Sequence, residues 1–370
     1  MTALPQPLLP LIQKEFNLSY TRSAFVQSSF SWTYGIAQIP AGFFADRVGT
    51  RILLIIGICG VAVAGILVGL SQTYVLMLVF LVVMGVVGGG YHPAATPMVS
   101  AAVPMENRGR ALGFHEMGAS TSFLVTPLIA AAIASAWSWR GAFISLAIPT
   151  FFIGLFLFRT TRQSKAVTGG EKKDSQGSDS ETLSRHQKLR LVVFLLLSVL
   201  TGGIVSSVFA FITLYAVDEL GASTVAAASL LSLQSFAGLL ISPVAGYLSD
   251  RFGRVPIIIV TSLLGAFVVY MLNWAPYYWG IATLMVLLGI ATYSRMPVSE
   301  AFIISHTTIR NRSLIYGIYY SSMTEAGAVF APIMGFLIDN YGFNNCFNWA
   351  TVAIVAITLV CAFLLRGSRN

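Results

Sequence analysis

The sequence predicts an all-α polytopic membrane protein of two pseudo-symmetric six-helix halves, with helix 1 shortened so that eleven full spans follow a remnant. Three observations predict it. Hydrophobic residues make up 56% of the chain and charged residues 10%, against about 25% charged in soluble proteins, too few to coat a water-soluble fold. Helix-length apolar runs follow one another from end to end. A short polar loop also occurs twice, as Gly42-Phe-Phe-Ala-Asp46-Arg47-Val-Gly49 and Gly246-Tyr-Leu-Ser-Asp250-Arg251-Phe-Gly253, each time closing one apolar run and opening the next.

Taken in order, the first apolar stretch runs only over 3–12 and is interrupted by Pro5, Pro7 and Pro10. It is too short to span, since a crossing helix needs about 20 residues. Its counterpart in the second half begins near Leu191, so the repeat places the matching start before Met1, and either an earlier start or a truncated chain is expected. Helices are then expected near 22–45, 51–71, 75–102, 109–136 and 140–159 in the first half. The second half is read as 191–216, 226–248, 255–274, 278–305, 313–338 and 344–365. Residues 1–159 and 191–370 form the two halves. The polar stretch 160–190, rich in Lys, Ser, Gly and Asp, is the linker.

All Lys and Arg except Lys14, Arg22, Arg140 and Arg295 fall on one side when both Asp-Arg loops are placed in the cytoplasm. The positive-inside rule then puts both termini in the cytoplasm of a multi-pass cell-membrane protein. The formal charge of +8 is accounted for by topology and not by nucleic acid. Cys59, Cys346 and Cys361 have apolar surroundings and no paired spacing, which indicates neither a disulfide nor a metal.

The loop offset of 204 residues extends to Pro93 and Pro297, Asn107-Arg108 and Asn311-Arg312, and Gly113 and Gly317. Halves of this length fit the parallel repeat of one large transporter class. Within the loops, Gly42 and Gly246 are expected to let neighbouring backbones approach closely. Gly49 and Gly253 supply positive φ. Asp46 and Asp250 suit a helix N-terminus. Arg47, Arg51, Arg251 and Arg254 are expected to bond acidic partners, with Glu106 a candidate for the first pair.

These loops, GFFADRVGTR and GYLSDRFGR, resemble the Gly-x-Leu-x-Asp-Arg-x-Gly-Arg motif of the major facilitator superfamily, with Phe44 for the usual Leu. Met105-Glu-Asn-Arg108-Gly-Arg110-Ala-Leu-Gly113 is similar to that superfamily's helix 4–5 connection. The resemblance implies a monomeric secondary transporter with alternating access, Asp46 and Asp250 latching it from the cytoplasmic side. It also implies that helices 4 and 10 face a central cavity. Drug–proton antiporters of the superfamily carry a glycine-rich helix 5 and a helix 4 arginine. Here helix 5 keeps small residues, with most glycines lost, and Tyr91-His92 stands in helix 4.

Ionisable groups within spans are costly and point to function. Glu325 lies about 18 Å into helix 11, near mid-membrane, after Tyr316, Tyr319 and Tyr320. It is read as an acid neutralised by a proton or a cationic solute, or as a structural partner of an Arg. Arg295 is read either as a bidentate anion ligand or as a partner of Glu325 or Glu300. His92 and Arg295 each stand just before a proline, Pro93 or Pro297, that frees a carbonyl four residues back and kinks its helix. Glu116 and Arg108 are assigned to the inner gate, with His115 on another face of the same helix. Tyr91, Trp32 and Gln38 are candidate pathway residues.

The leading reading is proton-coupled transport of a small organic solute, with an organic anion or weak acid favoured by Arg295 and His92. The alternative is proton-driven export of amphipathic or cationic compounds through Glu325. A sensor built on the same fold is the reading from another class. No phosphate-binding loop, nucleophile–base motif or metal spacing is present, so neither an enzyme nor a cofactor is expected.

Overall fold

The computed structural model describes residues 1, 3–104, 108–161, 185–276, 278–305 and 312–366, and the regular elements among them are helices. Among the described residues, eight segments are long and apolar enough to cross a membrane. The chain divides into two compact units, residues 1–18 with 25–178, and 19–24 with 179–370. Most of the expected linker, 162–184, lies outside the described residues.

The first unit is built from α1 (Pro5–Phe16), α2 (Tyr20–Val48) beyond its first turn, α3 (Thr50–Leu70), α4 (Tyr74–Gly88), α5 (Tyr91–Ala101), α6 (Arg108–Ala136) and α7 (Trp139–Thr160). Pro5 sits at the start of α1, where a missing N–H costs nothing. Leu8 and Ile12, one turn apart, bury one face with Leu9. Asn17 ends the helix in the left-handed region, φ 48°, a conformation Asn tolerates.

The last turn of α1 is pinned by a polar cluster. Glu15 pairs with Arg140, and the Trp139 indole N–H donates to the same carboxylate at 2.5 Å. Arg140 also donates to the Ser71 carbonyl at 2.9 Å and lies 4.4 Å from the Trp139 ring centroid. Burial alone would raise the Glu15 carboxyl, but the bonds from Arg140 and Trp139 outweigh it and hold it below its usual value. A depressed carboxyl stabilises the fold above its unfolded value and loses that contribution as pH falls through the folded one. Thermal scans should therefore show wild type more stable than Glu15→Gln at neutral pH, with the gap closing on acidification below the ordinary carboxylate range.

The second unit contains the first turn of α2, then α8 (Arg185–Ala210), α9 (Ile212–Asp218), α10 (Thr224–Phe252), α11 (Arg254–Met271), α12 (Trp279–Tyr293), α13 (Arg295–Ser305) and α14 (Arg312–Arg366). Its core stacks Phe194 on Phe302 at 3.8 Å, with Leu191, Leu197, Ile258, Ile303 and Leu365 around them.

Several expected helices are interrupted. Residues 75–102 form two helices that break at Gly89-Gly90, and 278–305 break at Ser294. The breaks lie where Pro93 and Pro297 remove the N–H that would have bonded four residues back. The expected 191–216 helix starts earlier, at Arg185, inside the stretch read as linker, and is interrupted at Phe211. The two helices read at 313–338 and 344–365 run on as α14, with a kink at Gly342, φ 76°.

The repeat is visible in backbone contacts inside each unit. A Cβ on Gly85 would meet the Phe30 carbonyl at 2.5 Å, and one on Gly289 would collide with the Gln234 carbonyl. Each of these glycines stands 204 residues from its counterpart, and so does each carbonyl. They set the close approach of α2 to α4 and of α10 to α12. Gly289→Val is expected to cost about 1–3 kcal/mol by overpacking, read as a lower apparent Tm in detergent with the far end of α10 unaffected.

Candidate functional site

The two loops that carry the repeat share one conformation. Gly49 has φ 90° and ψ 141°, and Gly253 has φ 90° and ψ 149°, a region that residues with a side chain rarely enter. Other expectations for the loops are corrected. A Cβ on Gly42 or Gly246 would meet nothing within 4 Å among the described residues, so the tight approach lies at Gly85 and Gly289 instead. Arg51 was expected to bond an acid. Its guanidinium donates to the Phe158 carbonyl and lies 4.6 Å from that ring's centroid, because the end of α7 reaches it. Arg47, Asp250 and Arg251 are exposed, and Arg254 is half-buried as the first residue of α11. Glu106 and the side chains of Asp46, Arg108 and Glu116 lie outside the described residues.

In the first unit, Tyr91 and His92 open α5 immediately after the helix break. Tyr91 stacks on His115 with centroids 5.8 Å apart, and His92 meets the edge of Tyr34 at 6.4 Å. The structure thus brings His115, which sequence reading set aside from the pathway, onto Tyr91. Trp32 meets Phe25 edge-on at 6.2 Å, and its indole nitrogen is buried with no partner among the described residues. Gln38 is half-buried.

In the second unit, Arg295 opens α13 at the equivalent break and is 4% exposed. It donates to Ser262 Oγ at 2.8 Å, Thr201 Oγ1 at 2.5 Å and the Ser198 carbonyl at 2.8 Å. Ser198 Oγ in turn lies 3.0 Å from Tyr319 Oη and 3.2 Å from Ser299 Oγ. Among the described residues Arg295 has no carboxylate partner, which corrects the expected pairing with Glu325; the Glu300 side chain lies outside the described residues. The cation is solvated by hydroxyls of α8 and α11 and a carbonyl of α8. Sequence reading missed Ser198, Thr201, Ser262 and Ser299. The visible signal was Ser198 and Thr201 one turn apart within an apolar helix, where hydroxyls commonly bond their own backbone.

Tyr319 is buried and belongs to this hydroxyl network, while the side chain of Tyr320 lies outside the described residues. Glu325 follows on α14, half-buried. Its Oε1 is buried and has no donor among the described residues. A Cβ on Gly203 would meet the neighbouring Ala326 at 2.7 Å, so α8 and α14 are close-packed beside Glu325. The site therefore contains a cation whose bonds are largely met and an acid with one buried oxygen that has no donor among the described residues.

Comparison with known proteins agrees with this architecture. Among curated relatives, multidrug resistance protein MdtG of Proteus mirabilis is 29% identical over 98% of this chain and 91% of its own length. The protein of the same name from Klebsiella pneumoniae is 27% identical over 93% and 85%. Among solved structures, a POT family transporter in complex with a thioalcohol-conjugated peptide matches with a TM-score of 0.81. It is 14% identical and covers 100% of this chain and 93% of its own. A bacterial homolog of the human lysosomal transporter Spinster, inward-facing and unoccupied, matches with a TM-score of 0.74. Its identity is 16% over 100% and 94%; at these identities both share the fold alone. The family described as Major Facilitator Superfamily matches residues 1–240 and again 217–369. With its paired loops, its two broken helices and a family match that takes in both units, this chain belongs to the Major Facilitator Superfamily and is a membrane transporter, not an enzyme.

Proposed function

We propose that this transporter exports amphipathic, cationic solutes across the cell membrane in exchange for protons, with both termini in the cytoplasm. The observation that carries the reading is Glu325, an acid within a membrane-length helix with a buried carboxylate oxygen that has no donor among the described residues. A buried carboxylate oxygen without a donor is costly unless a proton or a cation meets it. Either one satisfies Glu325, and not both at once, which is the minimal chemistry of exchange. The aromatic side chains around Tyr91 and Tyr34 suit an amphipathic cation, since ring faces attract positive charge. The multidrug resistance names of the relatives support the same reading.

The organic-anion reading loses its main support, because Arg295 is 4% exposed and already bonded to Ser262, Thr201 and the Ser198 carbonyl. The test is transport in proteoliposomes with an imposed pH gradient, using ethidium and benzoate as probes. Gradient-driven ethidium movement supports the proposal. Benzoate movement that depends on Arg295, with ethidium inert, overturns it.

A further inference from the structure

Within the second unit, the starts of α10 and α12 frame a groove of about 400 Å³ that the proposed exchange does not use. Ala222, Ala226 and Leu230, four residues apart and so on one helical face, line it from α10. Tyr278, Trp279 and Ala282 line it from the start of α12. Ala282 stands thirteen residues before Arg295, about 20 Å along the helix at 1.5 Å per residue. The Ser223 hydroxyl accepts from the Ala226 N–H at 3.2 Å, and the Ser229 hydroxyl donates to the Ala226 carbonyl at 2.6 Å. Both hydroxyls are therefore engaged on α10 itself, and the wall left to a ligand is methyl and methylene surface.

The rim is fixed in shape. Tyr278, which caps α12, has φ 72° and ψ −98°, a region that residues with a side chain seldom enter and that clusters at ligand clamps. A Cβ on Gly280 would lie 2.5 Å from Pro276 Cδ, so the proline packs directly on the first turn of α12. The Ile281 N–H donates to the Pro276 carbonyl at 3.3 Å and closes that turn. The space itself exists because Ala226 and Ala282 are small.

We propose that this groove binds one acyl chain of a membrane phospholipid, with Tyr278 and Trp279 level with its headgroup. Both walls belong to membrane-length segments, Thr224–Ser242 and Trp279–Ser299. Trp279 is 86% exposed, and Trp274 and Tyr278 are exposed beside it. Rings with one polar edge gather at the membrane–water boundary, so the mouth lies at that level and the groove runs from it into hydrocarbon. Water is a poor occupant, because it needs two to four polar partners. A chain entering beside Trp279 and running along Ala226 to Leu230 finds close contacts already in place. The fixed rim lowers the ordering cost of seating it. Once seated, the chain bridges α10 and α12, whose approach farther along is set by Gly289 against the Gln234 carbonyl.

Native mass spectrometry of the full chain in detergent, titrated with palmitoyl-oleoyl phosphatidylethanolamine, tests this with no transported solute present. Wild type should hold one lipid, and Ala226→Phe and Ala282→Phe should each weaken its binding at least about tenfold. Val225→Phe, at the neighbouring exposed position, should change it by less than about twofold. The lipid should also raise the apparent Tm of wild type and not of the two groove variants. Equal binding by all four proteins overturns the proposal. Should the groove variants not fold, wild type is placed in vesicles of phosphatidylethanolamine carrying a diazirine on one acyl chain. It is then moved into excess detergent before irradiation. Cross-links at 226–233 that persist, while those at exposed Phe236 and Leu240 disappear, support the groove; loss of both sets alike sinks it. Displacement of the lipid by ethidium, one for one, would make the groove a solute site and overturn the lipid assignment.

Discussion

Glu325→Gln should stop proton-driven ethidium movement in proteoliposomes while leaving a folded, monodisperse protein. The amide has nearly the volume of the acid, so packing of Ala326 against Gly203 is preserved. What is lost is the ability to hold and release a proton, and the charge that would offset a buried cation. Removing one partner of a buried charge pair costs about 3–5 kcal/mol, so ethidium binding should weaken by a factor of at least ~10². The readouts are ethidium quenching in vesicles and titration of the purified protein. Glu325→Asp provides the control, since it keeps the charge and moves it by one methylene. It should retain exchange with weakened binding. If Glu325→Gln moves ethidium at the wild-type rate, the acid is structural and the exchange chemistry lies elsewhere.

Arg295→Met should lower the apparent Tm of the solute-free protein and leave ethidium affinity in the folded fraction within about twofold. The substitution removes bonds to Ser262, Thr201 and the Ser198 carbonyl together. Hydrogen bonds to a charged group contribute about 1.5–3 kcal/mol each. The net loss should be smaller, about 1–3 kcal/mol, because Thr201 and Ser262 also bond the Leu197 and Ile258 carbonyls and are not orphaned. The desolvation cost of the charge disappears as well. Arg295→Lys should fall between, since an ammonium has no planar fork to reach three acceptors on two helices. Unchanged stability, together with lost binding of a carboxylate, would make Arg295 a solute ligand and reverse the assignment.

The fold was legible because it is written in apolar length and in a fixed offset between matching glycines and prolines. Pro93 and Pro297 also announced the helix breaks, although not that each break would end one helix and start another. The environment of Arg295 was not legible. An arginine in a span pairs with an acid, binds a solute or is solvated by polar groups, and only the placement of Ser198 and Thr201 on one helix and Ser262 on another selects the third. Gly42 and Gly246 misled because glycine serves a motif, a turn or a close contact alike, and sequence does not say which.

The shared backbone of Gly49 and Gly253 bears on how the chain has aged since its halves were copied. Between those halves, side-chain chemistry has drifted freely: a tyrosine–histidine pair stands on one side where an arginine stands on the other. A glycine at φ 90° has no substitute of similar cost, so any side chain there strains the turn whatever the cargo. Such positions act as fixed survey marks. Two halves whose side chains differ at the helix breaks can still be aligned through them, and a relative with a different cargo should keep both marks.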